Sequence, residues 1–184
     1  LSKASLENQS RGRAEVDPRW FSEPASKAED KAAKRTLAYG LIALSGGRWG
    51  DVGVALLAGQ EAQAKEAAKR WEKIFPNAYF IEVQRGGHPQ DEKQLQLACH
   101  LASELDLPVV ATHPVQFMQK SDFTAHEARV CIAEGELLGN PRRQKKFNEE
   151  QYFLSQEEME KRFADLPVAL ANSVEIAKRC NLSL

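Results

Sequence analysis

Residues 41–53 read Leu-Ile-Ala-Leu-Ser-Gly-Gly-Arg-Trp-Gly-Asp-Val-Gly. Leu41–Ser45 is a short apolar run bounded by glycines, the signature of a buried strand. The glycines that follow mark a tight turn, and Asp51 is placed to cap a short helix through Ala58. Outward from this point the pattern alternates. Glu61–Phe75 puts Ala64, Ala67, Ala68, Trp71, Ile74 and Phe75 at helical spacing with charges opposite. Pro76-Asn77 ends that helix. Tyr79–Gln84 (YFIEVQ) reads as a strand, residues 85–89 as a loop, and Gln90–Asp106 as a helix lined by Leu97, Leu101 and Leu105. Leu107–Thr112 reads as a third strand, with Pro108 at its start where a missing N–H is tolerated. Strand–helix–strand–helix–strand at this spacing predicts a parallel sheet in an α/β layer or barrel.

The remainder reads as mostly helical. Ser121–Glu134 places Phe123, His126, Val130 and Ala133 on one face, and residues 140–148 read as a loop. Ser155 and Glu158 make a capping box, and that helix is expected to run to Asp165. Pro167 suits the first turn of a last helix, with an apolar line of Leu170, Val174 and Ala177. Residues 1–39 stand apart: 14 of the 39 are charged and large apolar side chains are few. Within them, 22–35 reads as a solvated helix or mobile loop, and association or partial disorder is expected of residues 1–39.

Composition narrows the function classes. The chain has 184 residues, with 25 Lys+Arg against 26 Asp+Glu. That balance excludes a globally basic nucleic-acid coat, and the length suits one domain. Three dispersed cysteines, Cys99, Cys131 and Cys180, exclude a disulfide framework and a CxxC zinc site. No apolar run approaches the roughly 18 residues of a membrane span, the first residues are polar, and a cytoplasmic location is expected.

The chemistry-bearing motifs are individually weak. The turn at residues 46–53 lies where a phosphate could sit, yet it is neither Walker A nor GxGxxG, so its glycines are read as serving turns and close packing. His126-Glu127 lacks the second histidine of HExxH, since Val130 holds that position, and His126 is read as a satisfied buried side chain. His113 follows a strand end, the usual functional position of an α/β barrel. His88 and His100 have no visible partner. Cys99 and His100 diverge by about 100° on their helix and make a poor dyad. Arg142-Arg143-Gln144-Lys145-Lys146 is read as a solvated loop, with phosphates or an acidic partner surface as the alternatives.

Taken together, Leu41–Gly53, Pro108–Thr112 (PVVAT), Asp122–Val130 (DFTAHEARV) and Ser155–Cys180 (SQEEMEKRFADLPVALANSVEIAKRC) resemble the PHP (polymerase and histidinol phosphatase) domain of the bacterial DNA polymerase III alpha subunits. The resemblance covers residues 40–184. It implies the C-terminal portion of a distorted seven-stranded βα barrel with a helical end, preceded by a variable lead-in at 1–39. A start at Leu1 then fits a chain beginning mid-domain, after the family's His-rich metal motifs. In active members a His/Asp/Glu/Cys cluster holds several metal ions that activate water against a phosphoester. By the resemblance, Gly47 stands at the family's metal-binding Cys, and Pro114 and Gln116 stand at the Asp and His of its TNDxH motif. His113 takes the Asn position. Gly and Pro bring no side-chain ligand and an amide is a poor substitute for imidazole. The resemblance therefore implies no catalytic, cofactor-binding or metal residue here. It implies instead a module that docks the proofreading exonuclease (epsilon) subunit and meets other replicase subunits. DNA and the magnesium of synthesis would belong to other domains of the parent polymerase. The opposing expectation is an active metal-dependent phosphoesterase or 3'-5' exonuclease.

Overall fold

The computed structural model describes residues 9–10, 13–14, 16–22, 36 and 38–181. The expectations of a helix or loop at 22–35 and of disorder in 1–39 fall largely outside them. Strands β1 (Gln9–Ser10) and β2 (Arg13–Ala14) form a small antiparallel ribbon. A 3-10 turn at Pro18–Ser22 follows, and its Phe21 ring packs 5.1 Å from Phe75 and 6.4 Å from Trp71.

The centre is a parallel sheet in the order β3 (Ala43–Leu44), β4 (Tyr79–Gln84), β5 (Val109–Thr112). Helices α1 (Asp51–Leu57) and α2 (Glu61–Ile74) connect β3 to β4, and α3 (Asp91–Leu105) connects β4 to β5. The alternating architecture is as expected. The described residues contribute three parallel strands, fewer than the seven of the barrel of which the chain is expected to be the C-terminal portion. After it come α4 (Phe123–Glu134), α5 (Gln156–Arg162) and α6 (Pro167–Arg179).

Strand parity sorts the core. Tyr79, Ile81 and Val83 point into the main apolar cluster, with Val52 and Leu56 of α1, Ala64 and Ala68 of α2, and Leu95, Ala98 and Leu101 of α3. Phe80, Glu82 and Gln84 point to the other face, beside Val110 and Thr112 of β5 by register. That face becomes polar toward the strand ends.

Three helix faces differ from expectation. On α3 only Leu101 of the three leucines is fully buried; the buried side runs Asp91, Gln94, Leu95, Ala98, Leu101, Ala102. A strict i, i+4, i+8 line drifts about 80° around a helix of 3.6 residues per turn, whereas alternating steps of three and four hold one face. On α6 the expected Val174 and Ala177 are exposed, and Ala169 is buried against the core instead. On α4 Ala133 is exposed, and the buried residues are His126, Glu127 and Cys131. The capping box forms as read: Ser155 Oγ accepts from Glu158 N, and the Glu158 carboxylate accepts from Ser155 N at 2.8 Å. The Tyr152 hydroxyl also donates to that carboxylate, at 2.5 Å, and holds it down at about 2. The helix closes at Arg162, short of Asp165.

Candidate functional site

The three strands end together, and their C-terminal edge collects most of the buried polar side chains. Ser45 extends the end of β3: its Oγ accepts from Glu82 N at 2.8 Å, replacing a ladder carbonyl. The chain then turns through Gly46 and Gly47, both at positive φ. A Cβ at Gly50 would lie 1.7 Å from Ser45 O, and one at Gly53 would lie 1.9 Å from Gly47 O. These glycines let the backbone cross itself closely, as the sequence suggested. Asp51 is the first helical residue of α1, and Gly50 is the cap. The expected capping by Asp51 is corrected accordingly: its carboxylate accepts from Val52 N at 2.8 Å, Arg70 Nη2 at 2.7 Å and Trp71 Nε1 at 2.8 Å, tying α1 to α2.

Below the turn lies a network. Gln84 Nε2 donates to Glu82 Oε1 at 3.1 Å and to Thr112 Oγ1 at 3.0 Å, and the Thr112 hydroxyl donates to the same Glu82 oxygen. Beside it Arg48 reaches Asp91 at 2.8 Å, with both side chains almost fully buried. Asp91 also accepts from Gly86 N at 2.8 Å and His88 N at 2.9 Å. Farther out, Arg162 bonds Glu150 at 2.6 Å and Arg85 bonds Asp165 at 2.6 Å and Glu92 at 2.6 Å. The Arg85 guanidinium holds Asp165 down at about 2, and Lys120 and Arg162 lower Glu150.

The positions singled out from the sequence fall around this edge without converging. Gly47 is buried with the Gln84 side chain against it; a Cβ there would lie 3.3 Å from the Gln84 amide. Pro114 abuts Gly86, and Gln116 is exposed, its backbone N–H donating to Gln151 O at 2.8 Å. His113 Nε2 pairs with Glu150 O at 2.9 Å, while its Nδ1 is buried without a partner. Burial, aided by Arg162, lowers the His113 pKa. The carboxylates at the edge are already committed to arginines, lysine, backbone N–H groups or a hydroxyl, and Gly47, Pro114 and Gln116 bring no anionic or imidazole donor.

The remaining candidates lie elsewhere. His88 accepts from Gln90 N through Nδ1. Cys99 has its thiol pKa raised by burial, which disfavours a nucleophilic thiolate. His100 is exposed beside Glu61 and Glu104, the one cluster of donors close enough for a metal among the described residues. Lys65 occupies that cluster electrostatically, at 2.8 Å from Glu61 and 2.9 Å from Glu104. The three cysteines are free. His126 is buried between Phe117 and Phe147, at ring distances of 5.3 and 4.9 Å, yet its Nδ1 has no partner, so it is buried but not fully satisfied.

The basic loop departs most from its reading. Arg142, Lys145 and Lys146 are exposed, but the Arg143 side chain is buried and ion-paired with the equally buried Glu127 of α4. Nothing in the local sequence separates Arg143 from Arg142. The paired signal is Glu127, an acid at the buried edge of an amphipathic helix.

A family profile described as the PHP domain matches residues 1–86, ending just after β4. DNA polymerase III subunit alpha of Pseudomonas fluorescens is 40% identical over all 184 residues, which cover 15% of that protein. The same subunit of Neisseria meningitidis serogroup B is 47% identical over 172 residues, covering 93% of the chain and 14% of the relative. That of Escherichia coli is 51% identical over 145 residues, covering 79% of the chain and 12% of the relative. The chain thus spans roughly an eighth to a seventh of these relatives' length. With the expected strand and helix order in place, it belongs to the bacterial DNA polymerase III alpha-subunit family and carries part of a PHP domain.

Proposed function

We propose that this chain is a non-catalytic PHP segment of a cytoplasmic replicative DNA polymerase, serving as a structural and docking platform for the proofreading exonuclease (epsilon) subunit. Template-directed DNA synthesis, its magnesium and the grip on DNA then belong to other parts of the polypeptide. The observation that carries this reading is the strand-end edge. Gly47, Pro114 and Gln116 offer no metal ligands there, and Gln84 fills the space over Gly47. A PHP domain without its hydrolytic metals keeps a rigid βα scaffold, and a rigid scaffold suits docking because binding then costs little ordering entropy.

The test uses the full-length alpha subunit. Elemental analysis is expected to find no stoichiometric zinc or manganese, and phosphoester hydrolysis is expected to be absent. Stoichiometric metal with hydrolysis would establish the opposing phosphoesterase reading. Titration with the cognate exonuclease is expected to give saturable binding at about 1 μM or tighter, and no binding would refute the docking role.

A further inference from the structure

We draw no further inference here: the strongest candidate, the exposed cluster of Glu61, His100 and Glu104 where α2 meets α3, is already neutralised by Lys65 at 2.8 and 2.9 Å, and nothing else among the described residues points to an ion there.

Discussion

Two buried ion pairs hold the two halves of this molecule, and they are satisfied to different degrees. At the sheet edge, Asp91 takes Arg48 on one oxygen and two backbone N–H groups on the other. Within that pair, among the described residues, Arg48 Nε is the one buried polar atom without a partner. Under α4, Glu127 Oε1, Arg143 Nε and Arg143 Nη1 are all buried without partners, and so is the neighbouring His126 Nδ1. The first pair is wired into the backbone that connects β4 to α3. The second joins a helix to a loop and little else. Burial of charge is thus integral to the fold in one region and a local latch in the other.

The comparison can be broken most forcefully at Asp91. Asp91→Ala is expected to destabilise the chain by about 3–5 kcal/mol, since it strands a buried guanidinium and two N–H groups. Adding Arg48→Met to Asp91→Leu should leave a loss of about 1–3 kcal/mol for each orphaned N–H. Denaturant unfolding reads both, and full recovery in the double variant would show that the backbone bonds carry nothing.

The latch should behave differently. Glu127→Leu alone is expected to destabilise, because Arg143 is left buried and unpaired. Glu127→Leu with Arg143→Met is expected to recover the loss, because desolvation of an incompletely satisfied pair offsets its attraction. If the double variant unfolds as early as the single one, the pair is more than a latch.

The smallest effect concerns pH. Burial, aided by Arg129 and opposed by Glu127, holds His126 below the ordinary imidazole value. Unfolding then takes up a proton on the acid side. Its contribution is complete above about pH 6.5 and is lost as pH falls through the folded value. His126→Phe, set between Phe117 and Phe147, is expected to flatten the decline in unfolding midpoint between about pH 7.5 and pH 5.5. His113, shifted in the same direction, keeps a residual slope in both proteins. Identical slopes would assign the whole decline to His113 and the carboxylates.

Element order was legible because helix and strand periods are local properties. Tyr79–Gln84 is a strand as read, and Glu61–Phe75 misses the observed helix by one residue. Helix facing was less legible. Val174 of α6 and Ala133 of α4 look like core residues in sequence and are exposed, since which side of a helix is buried depends on what crosses it. The site followed the same division. Gly47, Pro114 and Gln116 could be marked as lacking ligand chemistry from identity alone. The Gln84 amide over Gly47, and the partners of Glu82 and Asp91, required the strands to be brought side by side.

By itself the sequence determined the alternation of strands and helices, the capping box at Ser155, the tight glycine turn and the family resemblance. These depend on residue type and near spacing. Tertiary structure alone decided which charges are buried. Arg142 and Arg143 are chemically identical neighbours, and only one meets a buried carboxylate 16 residues away. Desolvation and pairing are set by the whole surroundings of a side chain, and no local window of sequence contains them.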